Sequence, residues 1–404
     1  MCIRDRSGGD RGAGRTGGGL AVSASHPAQS EGAQIPVYGQ LDIEPVAGEG
    51  VWITTADGRR ILDLYGGHAV AALGYGHPKL LGAIREQADA LLFQTNAVPM
   101  AVRDRAAAAL ADFAPQGLDK VFLVNSGAEA NENALRLALR TTGRPVIVAL
   151  EAAFHGRLAG CGAVTWGSER WYGFPRQPFD VRFVPRDDPE AMRAAVGADT
   201  AAVIIEPVQG VAGAYPISAT VLAAAREATS RHGALLIFDE VQSGVGRTGW
   251  PFAAQRAEIT PDLITAAKSL AGGFPAGALI ATPAVSSQVG KGDLGTTFGG
   301  GPVACAAIAA VLETIEEEGL LEQVRDVSAY LQERCSTGPV TGIQGAGFLL
   351  GLKLDRPARE VQAALLERNI LTGTSADPRV LRLLPPLILQ RTHVDRLADA
   401  LEDL

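Results

Sequence analysis

Residues 234–248 read ALLIFDEVQSGVGRT. Five apolar residues run straight into two adjacent carboxylates, Asp239 and Glu240, and then into a loop carrying Gly244 and Gly246. A short, continuously apolar run that ends at a glycine loop reads as a buried strand of a parallel sheet. An ionised carboxylate at the end of such a strand is costly unless something positive meets it. The segment therefore sets the fold class and the functional question together: which cation stands opposite the acid.

The same pattern recurs on both sides of it. KVFLVN (120–125), RPVIVAL (144–150), AAVIIEP (201–207), DLITAAK (262–268) and GALIAT (277–282) read as short strands. SGAEANENALRLALR (126–140) reads as a helix with Ala130, Ala134, Leu137 and Ala138 on one face, and SATVLAAAREATSRHG (218–233) as another. Apolar strands alternating with helices predict an α/β fold, with a mainly parallel central sheet covered on both faces. Ligands of such sheets collect at the carboxyl ends of the strands, where Asn125, Glu206, Asp239 and Lys268 fall.

The flanks differ. Within residues 40–75, IEPVAGEGVWITTADGRRILDLYGG reads as an antiparallel meander turned at Asp57-Gly58. After about Cys305 the pattern predicts one long amphipathic helix, the strand FLLGLKLD, a helix through ALLERN, the strand RVLRLLPPLIL and a last helix capped by Thr392. The expected organisation is a disordered or non-native tail over 1–25, then 26–75 as the first part of a smaller α+β domain. A large cofactor-binding domain follows over 76–305, and 306–404 completes the small one. The tail, MCIRDRSGGDRGAGRTGGGLAVSAS, is too poor in large apolar groups to bury a core.

Whole-chain properties remove several function classes. A net charge of −8 argues against tracking along nucleic-acid phosphates. No apolar run approaches the roughly 20 residues of a membrane-spanning helix. Cys2, Cys161, Cys305 and Cys335 lack disulfide-framework or zinc-ligand spacing, so no metal site is expected and a reduced, cytoplasmic enzyme is.

Two cations could answer Asp239. Magnesium would make the strand a Walker B element, but that needs GxxxxGK[ST] upstream. Of the five lysines only Lys268 precedes a Ser or Thr, and Ala267 stands where the motif requires glycine. The second cation is a protonated pyridine nitrogen, that of pyridoxal phosphate, whose aldehyde a lysine must hold. Lys79, Lys120, Lys291 and Lys353 have surface-like settings; Lys268 alone sits in a long apolar stretch beside a glycine turn, DLITAAKSLAGGFPAGAL. Burial there lowers an amine's pKa, as a nucleophile requires. The phosphate would sit where NSGAEANEN opens a helix, Gly127 allowing close backbone approach. Taken alone, Ser126 reads first as a plain N-cap.

With these residues in place the sequence resembles the class III (ω-amino acid) aminotransferases of pyridoxal-phosphate fold type I. NSGAEANE, AFHGR, DEVQSGVGRTG, AAKSLAGGFPAGA and GTTFGG carry the resemblance, from about Ile43 to the C-terminus. LYGGHAV, NENAL and RLLPPL resemble the branch that uses N2-acetyl- or N2-succinylornithine. Free ornithine, a carrier-bound lysine precursor and 4-aminobutyrate remain rival donors, and a nonenzymatic binding module with the same fold the rival class. The resemblance implies that Lys268 binds the cofactor aldehyde and moves protons, and that Asp239 keeps the ring nitrogen protonated. It further implies that Gln242 meets the ring hydroxyl, that Val241 and Phe154 cover the two ring faces, and that Ser126, Gly127 and Ala128 hold phosphate. Phe154 reads otherwise as ordinary core. Thr297 resembles a threonine that reaches the phosphate from a partner subunit, implying a homodimer with shared sites. Arg157, with Thr296 beside it, resembles the group that binds the α-carboxylate of the acylated donor. Arg382 resembles the clamp for glutamate and 2-oxoglutarate, work suited to a bidentate guanidinium.

Three positions depart from the commonest pattern. Val211, in EPVQGVAG, stands where many relatives carry a glutamate that neutralises the clamp arginine. Gly301 replaces the usual asparagine of GGNP. His68 occupies a place that relatives fill with tyrosine or isoleucine, where substrate contact and simple packing are both open.

Overall fold

The structure, a computed structural model, describes residues 33–404; the tail expected over 1–25 lies outside the described residues. Residues 33–43 contain bends and irregular backbone without helix or strand. The remainder, from Glu44 to Leu404, is one compact unit built around a seven-stranded sheet.

In spatial order that sheet runs Lys120–Val124, Gly277–Ala281, Leu263–Ala266, Leu235–Asp239, Thr200–Ile205, Val146–Leu150 and Asp180–Val184. Six strands point the same way; Gly277–Ala281 alone is antiparallel to both neighbours. Strand Leu235–Asp239 lies centrally, with Phe238 opposite Ile205 on one side and Ile264 on the other. Its neighbours Thr200–Ile205 and Leu263–Ala266 are buried along their whole length, mostly by Val, Ile, Leu and Ala, which is why these segments read as apolar runs. Strand Asp180–Val184 is the one the sequence reading passed over. It sits on the sheet edge with Asp180 and Arg182 toward solvent, so its pattern lacks the apolar continuity of the rest.

Two helices show why their segments start and stop where they do. Gly127–Thr142 is capped by Ser126, whose hydroxyl accepts from Glu129 N, and it ends at Gly143 in the left-handed region. Ala219–His232 repeats the device with Ser218 and Gly233. The face named from the sequence, Ala130, Ala134, Leu137 and Ala138, is buried.

The expected meander is present as Pro45–Glu49, Trp52–Thr55 and Arg60–Asp63. A short strand from the far end of the chain, Ile370–Leu371, joins it in parallel to Arg60–Asp63. A second four-stranded sheet gathers Val340–Ala346, Leu349–Leu354, Val380–Leu383 and Gly373–Thr374.

Two local expectations are corrected. The single long helix after Cys305 is two, Pro302–Glu317 and Leu320–Arg334, broken at Gly319 with φ of 63°. The first runs through the expected boundary at 305/306 and packs on helices Pro78–Ala90 and Ala101–Phe113. The last helix, Arg391–Glu402, starts after Gln390, not at Thr392. The Gln390 N–H donates to His393 Nδ1 at 3.0 Å, so the histidine at the third helical position closes the turn and leaves Thr392 inside it.

Candidate active site

The carboxyl ends of the parallel strands open onto a cleft of about 450 Å³. Asp239, the last residue of its strand, reaches the cleft while only 3% exposed. Its Oδ2 accepts from His155 Nδ1 and from Asn131 Nδ2, each at 2.7 Å, and its Oδ1 accepts from Val241 N at 3.0 Å. Asn131 is held in turn: its amide donates to His155 O at 2.8 Å and its oxygen accepts from Thr265 Oγ1 at 2.6 Å. Two carboxylate oxygens can accept about four hydrogen bonds, and three come from the protein. One accepting direction is left for a donor in the cleft.

Glu240, its neighbour in sequence, points elsewhere. It is 1% exposed and accepts from Ala253 N at 2.5 Å, Ala254 N at 2.8 Å and Ser243 Oγ at 3.2 Å. It thus ties down the start of helix Ala253–Ala257, and burial pushes its carboxyl pKa up to about 7. The paired acids at the strand end divide into one for the cleft and one for the scaffold.

Lys268 leaves strand Leu263–Ala266 on a turn with φ of 49°, a costly backbone for a non-glycine residue. Its amine lines the same cleft as Asp239. Burial is the main influence on its pKa and drives it down, against the pull of Asp239 and Glu206. Glu206 accepts from Phe154 N at 2.8 Å and Gly210 N at 3.1 Å. Burial raises its pKa to about 7, with nearby His155 acting in the opposite sense.

At the cleft's other end stands the start of helix Gly127–Thr142, with Ser126, Gly127 and Ala128 on the wall. Ser126 is the helix cap, so the cap and the anion-facing readings coincide in one residue. A Cβ on Gly127 would come within 2.6 Å of Val241 Cγ1, so only glycine fits between the helix start and that side chain. Val241 and Phe154 both line the cleft. Gln242 does too; its Nε2 donates to His68 O at 3.4 Å, while its buried Oε1 has no partner among the described residues. His155 Nε2 is likewise buried and unpartnered among them.

The remaining residues expected from the sequence stand apart to different degrees. Arg157 lines the cleft from an exposed position, its guanidinium 4.7 Å from the centre of the Trp171 ring. Thr296 is one step behind the wall: its hydroxyl accepts from Asn125 Nδ2 at 3.4 Å and from Gly299 N at 3.0 Å. Thr297 is exposed and is not among the residues lining the cleft of its own chain. Arg382 is also outside the lining, 5% exposed in strand Val380–Leu383. Sequence reasoning missed Asn131, His155 and Thr265, which position the acid. His155 had a signal within AFHGR, a motif used only for Phe154 and Arg157; Asn131 looked like one more polar residue on a helix.

This donor set fits pyridoxal phosphate. A buried carboxylate with one free accepting direction and an amine of depressed pKa line the same cleft as Val241 and Phe154. An unpartnered amide oxygen lies beside them, and a helix start with a glycine cradle closes the far end.

Comparison with known proteins agrees. The family description "Aminotransferase class-III" matches residues 36–404. The acetylornithine aminotransferase of Streptomyces coelicolor is 43% identical over 380 residues, 92% of this chain and 93% of that protein. The [LysW]-aminoadipate semialdehyde transaminase of Deinococcus radiodurans is 38% identical over 377 residues, 91% of this chain and 86% of its own. Among solved structures, the ornithine aminotransferase of Toxoplasma gondii, described with partial occupancy of PLP at its active site, superposes with a TM-score of 0.84. It is 26% identical, with 90% of each chain covered.

Proposed function

The chain belongs to the class III aminotransferases, pyridoxal-phosphate enzymes, and from that premise we propose that it transfers the δ-amino group of N2-acetylornithine, or its N2-succinyl counterpart, to 2-oxoglutarate. The products are the acylated glutamate 5-semialdehyde and glutamate, a step of arginine biosynthesis. The observation that carries the reading is the pair of arginines, Arg157 exposed on the cleft wall and Arg382 buried behind it, alongside Lys268 and Asp239. A substrate with a distal amine and an α-carboxylate needs one cation far from the reacting centre. An α-amino acid such as glutamate needs one near it.

The bound cofactor supplies an electron sink for the bond broken at the amine-bearing carbon. The protein supplies the rest. Asp239, fixed by His155, Asn131 and Val241 N, would hold a proton on the ring nitrogen. Lys268 Nζ, its pKa lowered by burial, takes a proton from the substrate carbon and returns it one atom away. Val241 and Phe154, both on the cleft wall, would cover the two faces of the cofactor ring, and the unpartnered Gln242 Oε1 would accept from its hydroxyl. Ser126, Gly127 and Ala128 would hold the phosphate, and Arg157 on the wall, with Thr296 behind it, would position the donor's carboxylate. Donor and acceptor use the cleft in turn, each leaving before the other enters.

The reading extends to a homodimer in which Thr297 serves the neighbouring subunit's phosphate, working in the cytoplasm. Exposed Phe93 and Phe298, rings 5.3 Å apart, with Leu92 and Phe274 also exposed, give an apolar surface that a partner would cover. Among the described residues no helix is long and apolar enough to cross a membrane.

Steady-state kinetics with N-acetylornithine, N-succinylornithine, ornithine, 4-aminobutyrate and a carrier-linked lysine precursor test the assignment. The acylated ornithines should give the highest kcat/KM, and preference for any other donor refutes it. Lys268→Ala should abolish turnover while the protein still takes up cofactor, and normal turnover in that variant would remove the site altogether.

A further inference from the structure

Val211 lines the cleft next to Gly210, whose carbonyl accepts from Arg382, and Arg382 has no direct ion pair among the described residues. Its guanidinium is met by neutral oxygens instead. Nε donates to Thr374 O at 2.8 Å, Nη1 to Gly210 O at 3.1 Å and Nη2 to Tyr65 Oη at 2.7 Å. The first two acceptors are backbone and cannot leave. The third is a side chain, half-buried, on a segment remote in sequence.

Tyr65 has a second partner. Its hydroxyl lies 2.9 Å from His68 Nδ1, with the rings 4.7 Å apart. An arginine can only donate, so the Tyr65 oxygen accepts from Arg382 and its proton goes to His68 Nδ1. Burial and the positive charges of Arg382 and Lys268 lower the His68 pKa, which favours the neutral, accepting ring. The backbone is shaped for this arrangement. Gly66, Gly67, His68 and Ala69 all have positive φ, from 52° to 67°, a conformation that is costly for the two non-glycine residues. Room for the ring comes from Gly373, where a Cβ would lie 1.8 Å from Tyr65 Cε2.

We propose that the Tyr65 hydroxyl is the displaceable neutral partner of Arg382, and that it sets how strongly this site takes the carboxylate of a 2-oxo acid or α-amino acid. This rests on the reading of Arg382 as the clamp for that carboxylate. While the donor occupies the cleft, the hydroxyl satisfies the guanidinium without cancelling its charge. When an α-carboxylate arrives, it takes the Nη2 hydrogen bond, and Tyr65 keeps a hydrogen bond to His68. A carboxylate partner would have to be separated from the arginine as an ion pair; a hydroxyl is a weaker competitor. The clamp is therefore open to carboxylates in both halves of the cycle.

Glutarate, a five-carbon dicarboxylate without a reactive carbonyl, probes this in the holoenzyme by titration calorimetry, independently of turnover. Tyr65→Phe should bind glutarate more tightly, by roughly fivefold, because one competing hydrogen bond is gone. Val211→Glu, which puts a carboxylate on the cleft wall and leaves the ring untouched, should weaken it by at least roughly tenfold. Arg382→Ala should lose most of the affinity. If Arg382→Ala binds glutarate as the parent does, the clamp reading itself falls, and this proposal with it. If Arg382→Ala weakens binding but Tyr65→Phe leaves it unchanged or weaker, the hydroxyl only buttresses the arginine and the proposal alone is overturned.

Discussion

Asp239 and Glu240 are adjacent, both buried and both acidic, yet they should respond to mutation in opposite ways. In Asp239→Asn the amide cannot satisfy its surroundings in either orientation. With the NH2 at the Oδ2 position it faces the donors His155 Nδ1 and Asn131 Nδ2; reversed, it faces Val241 N. It also carries no charge to hold a proton on the cofactor ring, so turnover should fall by at least about 100-fold, the scale of a lost proton-managing group. Glu240→Ala instead strands the N–H groups of Ala253 and Ala254 in a buried place. Two orphaned donors cost about 2–6 kcal/mol together. Removing a carboxyl whose ionisation the site resists offsets part of that at neutral pH. A net loss of about 2–3 kcal/mol remains, a large share of a typical folding free energy of roughly 5–15 kcal/mol. Thermal unfolding of the holoenzyme and kcat at a temperature where both variants are folded separate the two roles. Glu240→Ala should melt several degrees lower with near-parental kcat, and Asp239→Asn should show the larger kinetic loss. A Glu240→Ala protein that keeps its melting temperature but loses turnover would refute the division of labour.

The raised Glu240 pKa makes stability pH-dependent with a definite sign. From the ordinary 4.5 up to about 7 the folded chain holds a proton that the unfolded chain has released, so this group's contribution declines as pH rises through that window. Urea midpoints measured at several pH values should fall less between pH about 5 and about 7 in Glu240→Gln than in the parent, and parallel curves would contradict it. At the other end of the cleft, Gly127→Ala drives a Cβ to 2.6 Å from Val241 Cγ1. Overpacking of this kind costs roughly 1–3 kcal/mol and displaces both the helix start and a ring-covering residue, so cofactor affinity should drop by about tenfold or more in an equilibrium titration. An unchanged dissociation constant would show that the cofactor does not use this cradle.

The parts of this molecule that were legible in its sequence share a physical cause. Strands buried on both faces must be apolar throughout, so any polar residue at their ends stands out, as Asp239 and Lys268 do. Serine before a helix and glycine after it declare the limits of Gly127–Thr142 and Ala219–His232. Edge strand Asp180–Val184 escaped because half of it faces water. The break at Gly319 escaped because apolar spacing continues through it into a second helix. Among site residues, those whose role depends on their own position were readable, whereas those acting through a distant partner were not. Asn131 is 108 residues from the acid it orients, and Tyr65 is 317 residues from the guanidinium it meets.

That last pair shows what sequence departures can mean once the packing is known. Val211 alone looked like a missing charge, and His68 alone like an odd substitution. In the folded chain both border Arg382's surroundings: Val211 next to the carbonyl of Gly210 that accepts from it, His68 on the hydroxyl that accepts from it. A buried guanidinium without a direct ion pair needs neutral acceptors to stay charged, and three oxygens from three separate segments supply them, with Glu206 acting in the same sense from farther off. With valine at position 211, the Tyr65 hydroxyl, the space left by Gly373 and the acceptor on His68 together supply the one displaceable partner of the guanidinium. Exchanging any one of them should change carboxylate recognition more than it changes the chemistry at Lys268.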